Sequence, residues 1–237
     1  GIGKSLLETY LQRPNHIVIG SVRDPTADYT TTLTSLPTAP GSRLILTTIE
    51  STNFSDPATA ISSLPDEITH IDAVIANGGG GGSKGGIPLD VVAPGDITDV
   101  VNINILAPLA LYQATRTLLQ KAKAPKWVSV SSISASIGGV PKFKTHLAAG
   151  YGIAKAWLNW LTVAIGSAND WIVAFAVYPG LVQTDLGNRS AKKLGLEQAP
   201  TTVEESSGAI IRLIDNATKE TAGEKFFDAV RGTELPW

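Results

Sequence analysis

Residues 126–131 read KWVSVS, and residues 148–167 read AAGYGIAKAWLNWLTVAIGS. The first stretch is short, apolar and β-branched, which predicts a buried strand. The second is long and predicts a helix. A buried strand followed by a helix is the repeating unit of a parallel sheet, so this pair sets the fold class to be tested along the rest of the chain.

The same alternation extends in both directions from this pair. Further strands are predicted at residues 16–22, 43–49, 71–76, 171–177 and 225–227. Further helices are predicted at residues 4–12, from residue 56 onwards, at 96–121 and at 203–216. We therefore expect an α/β fold whose doubly wound parallel sheet is covered by helices on both faces. Residues 26–42 are rich in Thr, Ser and Pro, and we expect a surface connection there.

Length and composition limit the function classes. A chain of 237 residues without an evident linker predicts a single domain, and 43% hydrophobic residues suffice for its core. The net charge of −2 argues against a nucleic-acid partner. There is no cysteine, and the three histidines lie far apart, so we expect no metal site. No apolar run is long enough for a bilayer, so we expect no membrane association and a cytoplasmic location.

Ligands of such sheets bind at the carboxyl ends of the strands and at helix N-termini. Gly1-Ile2-Gly3 before the first predicted helix is typical of a glycine-rich turn that approaches a pyrophosphate. Gly3-Lys4-Ser5 also matches the end of a P-loop, which would need a glycine five residues before Gly3 and a strand ending in a magnesium-binding Asp. We see no convincing strand of that kind.

Roughly twenty residues after the glycine turn, dinucleotide-binding folds place the residue that reads the ribose. Arg23 occupies that position, at the end of the strand predicted over residues 16–22. Its guanidinium suits the 2′-phosphate of NADP, whereas the adjacent Asp24 would suit the free hydroxyl of NAD. We favour NADP, with NAD as the alternative. A further interpretation of these residues is an ordinary solvated turn that binds no ligand.

Tyr151 and Lys155 lie four residues apart, on one face of the predicted helix. A neighbouring cation favours the phenolate and is expected to lower the pKa of the tyrosine. Such a pair is often only a surface contact. Its position is more informative, because the preceding strand ends in Ser131-Ser132.

The run from Gly78 to Gly86 contains seven glycines. It is either a loop without a role in the site, or a close approach of the backbone to a ligand, or a stretch where glycine stands for other residues. Within it, Gly81-Gly82-Ser83-Lys84-Gly85 matches the G-x-S-x-G motif of serine hydrolases. That motif needs a strand and a helix directly on either side of the serine, and Ile87-Pro88 follows instead. A hydrolase that uses Ser83 is a minor alternative.

Taken together, these segments resemble the short-chain dehydrogenase/reductase family over almost the whole chain and in the correct order. The resemblance is carried by the Gly1-Ile2-Gly3 turn, Ala76-Asn77-Gly78-Gly79, Asn104, Ser132, the Tyr151/Lys155 pair and Pro179-Gly180-Leu181-Val182-Gln183-Thr184. Arg23-Asp24-Pro25 and the Tyr-Gly-x-x-Lys form are most similar to the fungal norsolorinic acid ketoreductase-type branch.

The resemblance implies a Rossmann fold over residues 1–237 and NADPH-dependent reduction of a ketone or aldehyde. Catalytic roles are implied for Ser132, Tyr151, Lys155 and Asn104: Tyr151 as proton donor, Lys155 lowering its pKa, Ser132 polarising the carbonyl and Asn104 holding a water. Cofactor contacts are implied for Gly1, Ile2, Gly3, Arg23, Glu50, Asn77, Gly79, Tyr151, Lys155, Pro179, Gly180, Val182 and Thr184. Glu50 stands where the family usually has an Asp that reaches the adenine. An NADP-binding regulatory or scaffold domain without turnover is the alternative function.

Three departures from the family follow. The central first strand and the start of the glycine motif are missing from the sequence, and we expect the natural protein to possess them. Ser132 and Tyr151 are 19 positions apart, several more than is usual, which implies an insertion around residues 142–147 and makes Ser134 a fallback for the serine role. The glycine run says little about the substrate.

Substrate contacts are expected from residues 186–200, the loop after Ser132 and the glycine run. The branch resemblance implies an aromatic or polyketide ketone. It also implies a homodimer or homotetramer through the helices at residues 96–121 and 148–167, although some relatives are monomeric.

Overall fold

The computed structural model of the chain describes residues 1–81 and 86–237, and it is an α/β structure. In this described part the strands are β1 (Ile17–Val22), β2 (Arg43–Thr48), β3 (Ala73–Ala76), β4 (Lys126–Val130), β5 (Val173–Tyr178), β6 (Phe226–Asp228) and β7 (Thr233–Glu234). The α-helices are α1 (Ile2–Leu11), α2 (Asp28–Thr34), α3 (Asp56–Ser62), α4 (Pro94–Val101), α5 (Ala107–Leu119), α6 (Val140–Phe143), α7 (Ala149–Ser167), α8 (Asp185–Lys193), α9 (Val203–Asn216) and α10 (Lys219–Ala222).

The strands form two hydrogen-bonded sheets. In the larger one, β3, β4, β5 and β6 pair in parallel in that order, and β7 adds to β6 in the antiparallel direction. In the smaller one, β1 pairs with β2 in parallel, from Ile17 opposite Arg43 to Val22 opposite Thr48. Parallel order leaves the carboxyl ends of these strands at one edge of each sheet, where ligands of α/β folds bind.

Helices cover both faces of the larger sheet. On one face, Val128 and Phe175 pack with Leu6 of α1 and Ile210 of α9. On the opposite face, side chains of β3 to β5 pack with α5 and α7 in a cluster that includes Val74, Leu119, Trp127, Leu158 and Ala174. Successive side chains of a strand point to opposite faces, which is why Trp127 and Val128 belong to different clusters. The fold is thus Rossmann-like, with a parallel central sheet in a single domain.

Most of the predicted elements are present, and among the differences are helices α6, α8 and α10, which were not predicted. The helix predicted at residues 96–121 begins at Pro94 and is interrupted by a π-helix over Asn102–Leu106 before it continues as α5. Residues 26–42, expected to be a surface connection, contain α2, whose sequence is rich in threonine and therefore has low helix propensity. The short antiparallel β7 was not predicted. Among the described residues, no helix is both long and apolar enough to cross a membrane.

Candidate active site

Side chains from four elements meet at the carboxyl edge of the larger sheet. Asn77 follows β3, Ser132 follows β4, and Tyr178 ends β5. The helix α7 begins at Ala149, so Tyr151 lies in its first turn, and Lys155 lies one turn later on the same face. A 3-10 helix over Ile133–Ala135 turns the chain away from the sheet immediately after Ser132. The site is therefore built where the fold predicts it.

The side chain of Ser132 interacts with the hydroxyl of Tyr151. Burial raises the pKa of Tyr151 to about 12, and the interaction with Ser132 acts in the opposite direction. The phenol therefore keeps its proton throughout the neutral range. The backbone N–H of Ser134 donates to the Ser132 hydroxyl at 3.1 Å, and it is Ser132 that interacts with Tyr151. This geometry favours Ser132 over Ser134 for the serine role.

The ammonium group of Lys155 is enclosed, because its residue is only 2% exposed. Its Nζ donates to the carbonyl oxygen of Val130 at 2.9 Å and lies 5.8 Å from the centre of the Tyr151 ring. Burial lowers the pKa of Lys155 to about 8. Burial is the largest cause of the raised pKa of Tyr151, and Lys155 is not among its causes, so the lowering of this pKa by Lys155 stays a prediction.

Asn104 lies inside the π-helix Asn102–Leu106 and is completely buried. Its Nδ2 donates to the carbonyl oxygens of Val100 at 2.8 Å and Gly80 at 2.7 Å, and its Oδ1 accepts from the Gly80 N–H at 3.2 Å. A methyl group on Gly79 would lie 2.8 Å from Asn104 Oδ1 and 3.0 Å from Lys155 Nζ. Asn104 therefore joins the start of the glycine run to the side of the site that holds Lys155.

The first turn of α1 meets two other predicted cofactor segments. A methyl group on Gly3 would lie 2.7 Å from Nδ2 of Asn77, and one on Gly1 would lie 3.2 Å from Cγ2 of Thr184. Gly1 directly precedes the first turn of α1. Close backbone approach at the N-terminus of a helix suits a pyrophosphate, so the residues present fit a dinucleotide.

Residues 179–184 form a tight turn between β5 and α8. Gly180 has a φ of +89°, a left-handed conformation that side chains rarely adopt. Val182 is buried and forms a bridge with Thr201, and the Pro179 carbonyl accepts from the Ser206 hydroxyl at 2.7 Å. These contacts hold the predicted nicotinamide-binding segment rigidly, and Thr184 caps α8 by accepting from the Gly187 N–H.

Arg23 and Asp24 follow β1 and are both exposed. The carboxylate of Asp24 accepts from the backbone N–H of Thr26 at 2.8 Å and from its hydroxyl at 2.6 Å. These hydrogen bonds lower the pKa of Asp24 and direct its carboxylate towards its own loop. The side chain of Arg23 is exposed beside it, at the strand end where a ribose is expected.

Glu50 follows β2, and its carboxylate also faces its own turn. Its Oε1 accepts from the N–H of Thr52 at 3.3 Å, while the Glu50 N–H donates to Asp56 at 2.8 Å. The segment containing Glu50 lies at the same sheet edge as Arg23, because β1 and β2 are parallel and in register. The structure thus brings both residues to the same edge of the smaller sheet.

The family assignment rests on a match over most of the chain. Residues 1–195 match the family model described as short chain dehydrogenase. The chain belongs to the short-chain dehydrogenase family. The matched span includes every element named above except α9, α10, β6 and β7.

Named relatives of this short-chain dehydrogenase are similar over its full length. Short-chain dehydrogenase srdF of Neurospora crassa is 46% identical over 241 residues, covering 100% of this chain and 94% of that protein. Norsolorinic acid ketoreductase of Aspergillus parasiticus is 35% identical over 240 residues, covering 100% and 88%. The similarity to the norsolorinic acid ketoreductase-type branch is thereby confirmed.

A solved structure agrees with the fold of this short-chain dehydrogenase. The NADPH-bound carbonyl reductase from chicken fatty liver has a TM-score of 0.85 and 25% sequence identity, and the match covers 100% of this chain and 95% of that one. Members of the short-chain dehydrogenase family are oxidoreductases that bind a nicotinamide cofactor and act on small molecules.

Segments predicted to contact the substrate border the site. The N–H of Leu89 donates to the His146 carbonyl at 3.0 Å, and the N–H of Ala149 donates to the Ile87 carbonyl at 3.1 Å. Gly86 lies next to the ammonium of Lys193 at the end of α8. The chain after the glycine run therefore connects α8 with the inserted segment before α7. Ser83, of the hydrolase alternative, lies outside the described residues.

Sequence reasoning missed two groups near the site. Tyr178 acts electrostatically on Tyr151, and burial followed by the charge of Asp228 raises the pKa of Tyr178. Asn159 bonds Ser131 directly behind Ser132. The sequence contained a signal for both residues. Tyr178 ends a strand just before Pro179, and Asn159 is a polar residue one turn after Lys155 on the same helix face.

Proposed function

We propose that this short-chain dehydrogenase is an NADPH-dependent carbonyl reductase that reduces a ketone or aldehyde, with Tyr151 as the proton donor. The observation that carries the proposal is that Tyr151 and Lys155, one turn apart on α7, meet Ser132 at the carboxyl edge of the sheet, with the Lys155 ammonium buried 5.8 Å from the centre of the Tyr151 ring. The ketoreductase names of relatives and the NADPH-bound carbonyl reductase neighbour support the same activity.

The chain's own groups would act on the carbonyl oxygen. When bound, NADPH supplies the hydride that reaches the carbonyl carbon. The Tyr151 hydroxyl passes its proton to the oxygen as negative charge develops there, and the Ser132 hydroxyl donates a hydrogen bond to the same oxygen. The phenolate left on Tyr151 is stabilised by the Lys155 ammonium, and Asn104 orders the water that returns the proton.

The proposed cofactor contacts span the whole carboxyl edge. The glycine-flanked start of α1 suits the pyrophosphate, and the turn after β5, in which Gly180 has a positive φ, suits the nicotinamide amide. The proposed residues are Gly1, Ile2, Gly3, Arg23, Glu50, Asn77, Gly79, Tyr151, Lys155, Pro179, Gly180, Val182 and Thr184.

The turn after β1 favours NADP over NAD. Asp24 directs its carboxylate to Thr26, with contacts of 2.8 and 2.6 Å, so it is engaged within its own loop. The exposed guanidinium of Arg23 matches the geometry and charge of a 2′-phosphate. NADP is therefore the proposed cofactor.

The substrate side is bordered by exposed apolar side chains. Exposed residues on the bordering segments are Leu89, Ile137, Phe143, Leu147, Leu186 and Leu194. Such a rim favours a carbonyl compound with a large apolar body, in keeping with the aromatic or polyketide ketone implied by the branch resemblance.

The proposal also covers the chain as a unit and its assembly. We propose that residues 1–237 act as one dinucleotide-binding oxidoreductase domain that forms a homodimer or homotetramer. The supporting feature is the exposed face of α7, where Ile153, Trp157 and Trp160 are 44%, 49% and 66% exposed. A cytoplasmic location stays a prediction.

Two measurements test the proposed function in sequence. Fluorescence titration should show that NADPH binds more tightly than NADH. A panel of ketones at saturating NADPH should then give a loss of reduced-nicotinamide absorbance. Tight NADPH binding without any turnover would contradict the reductase proposal and favour the NADP-binding regulatory domain.

A further inference from the structure

Three buried polar contacts join α7 to β4 and to Ser131, the residue that directly follows β4. They form a line along one helix face, because their helix residues are spaced four and then three positions apart. The contacts run from Lys155 Nζ to the Val130 carbonyl (2.9 Å), from Ser131 Oγ to Asn159 Oδ1 (2.6 Å) and from Thr162 Oγ1 to Ser129 Oγ (2.7 Å). We call this line the α7–β4 ladder.

The stability of the fold does not explain the middle contact of the ladder, the hydrogen bond between Ser131 and Asn159. Asn159 is 3% exposed, and its neighbours Leu158 and Leu161 belong to an apolar cluster. Its Nδ2 atom has no hydrogen-bond partner in the described structure. A buried donor without a partner lowers the stability of the fold, whereas an apolar side chain of similar size would pack there without that penalty.

The position of the middle contact relates it to the reacting groups. Ser131 immediately precedes Ser132 on the strand side, and Asn159 lies one helical turn after Lys155 on the other side. Apolar contacts between a helix and a sheet tolerate small sliding and rotation, because they are not directional. Hydrogen bonds have narrow distance and angle ranges and therefore restrict both movements.

We propose that Ser131 and Asn159 are positioning residues that hold α7 in register with β4, so that Tyr151 and Lys155 face Ser132. This inference rests on the proposed function, because it assigns these two residues a role in the same site. They touch neither substrate nor cofactor and act through Ser132 and Lys155. A rotation of α7 by a fraction of a turn would move the Tyr151 hydroxyl out of reach of the carbonyl oxygen.

The test is the double variant Ser131→Ala/Asn159→Leu. Removal of both polar partners leaves no unpaired group behind, so the fold should keep its thermal midpoint. We expect kcat to fall by about tenfold to a hundredfold, as a displacement of about 1 Å in a catalytic site can cause, with a much smaller change in the KM for the ketone.

Asn169→Leu is the matched control. Asn169 is also buried and bonds Tyr112 and Arg116, but it follows the far end of α7. This variant should lower the thermal midpoint and leave kcat unchanged. A purely structural role for Ser131 and Asn159 predicts the same pattern for the double variant, so a wild-type kcat in the double variant overturns the proposal.

A third measurement separates this inference from the proposed function. The titration of the Lys155 amine, followed by NMR in the absence of cofactor and substrate, should shift in the double variant and remain unchanged in Asn169→Leu. If the wild-type chain reduces no ketone, the reductase proposal fails, and this titration still tests the positioning role of Ser131 and Asn159. An unchanged Lys155 titration in the double variant overturns that role. If the double variant does not fold, Ser131→Ala alone is judged by the same measurements.

Discussion

The two ends of the candidate site are built in opposite ways. At the catalytic end, Tyr151, Lys155 and Ser132 are held by a long helix and a central strand, and Lys155 is 2% exposed. At the ribose end, Arg23 and Asp24 lie on an exposed turn of the smaller, two-stranded sheet. The proposed chemistry is thus placed in the core, and the proposed choice of cofactor on the surface.

The difference has an electrostatic consequence. At the catalytic end burial is the largest cause of the pKa changes of both Tyr151 and Lys155, and it favours their neutral forms. At the ribose end the pKa of Asp24 is lowered by hydrogen bonds from Thr26 rather than by its surroundings. Substitutions should therefore affect rates at one end and cofactor preference at the other.

The largest expected effect is that of Tyr151→Phe. Loss of the hydroxyl removes the proton donor and should lower kcat by about 10²–10⁴-fold, while NADPH affinity stays within about twofold because the ring remains. Steady-state kinetics and fluorescence titration measure the two quantities. Substantial turnover in this variant would show that another group donates the proton.

The second effect concerns the stability of the cofactor-free chain as a function of pH. The pKa of Lys155 is lowered by burial from 10.5 to about 8, so between these values the unfolded state binds more protons than the folded state. The free energy of unfolding should therefore rise with pH in this window, by up to about 3 kcal/mol. This gain in the free energy of unfolding should be lost again as the pH falls towards 8.

Lys155→Met should lack this contribution. Urea unfolding of both proteins between pH 7 and pH 11 (roughly the span of the two pKa values) gives the difference, with Lys192→Met, an exposed lysine of α8, as the control. Parallel pH curves for wild type and Lys155→Met would mean that Lys155 is not desolvated.

A third effect is expected at the ribose end. Arg23→Ala should weaken NADPH binding by about tenfold to a hundredfold, because a charge-assisted contact to the 2′-phosphate is lost, and should leave NADH binding nearly unchanged. The matched control is Arg43→Ala, since Arg43 is a half-exposed arginine of the same sheet that pairs with Glu67. Equal losses for both cofactors would place the role of Arg23 elsewhere.

The smallest effect is that of Asp24→Asn. The amide oxygen still accepts from Thr26, so the turn is kept, while the negative charge beside the proposed phosphate site disappears. NADPH should bind about twofold to threefold more tightly at low salt, and the gain should shrink as salt is added. Weaker binding would indicate that the carboxylate itself contacts the cofactor.

Much of the fold could be predicted from the sequence. Strands of parallel sheets are often continuous apolar runs, and for that reason β1, β2, β4 and β5 were located to within two residues, although β2 contains no fully buried residue. The order of Ser132, Tyr151 and Lys155 along alternating strands and helices was enough to bring them together. Helix α2 was missed because its threonines have low intrinsic helix propensity.

The physical state of the site was less predictable. The raised pKa of Tyr151 depends on burial, which sequence spacing does not give. The bond between Ser131 and Asn159 depends on how α7 sits on β4, and the π-helix around Asn104 depends on one extra residue per turn. Each of these features arises from packing between distant segments.

The π-helix also bears on how this part of the chain tolerates changes in length. A π-turn holds one residue more than an α-helical turn, so a deletion within Asn102–Leu106 would restore regular winding without breaking the helix. The cost would be local, because Asn104 would lose its hydrogen bonds to Gly80. The loss of a single residue from this segment should thus spare the helix and be felt only at the start of the glycine run.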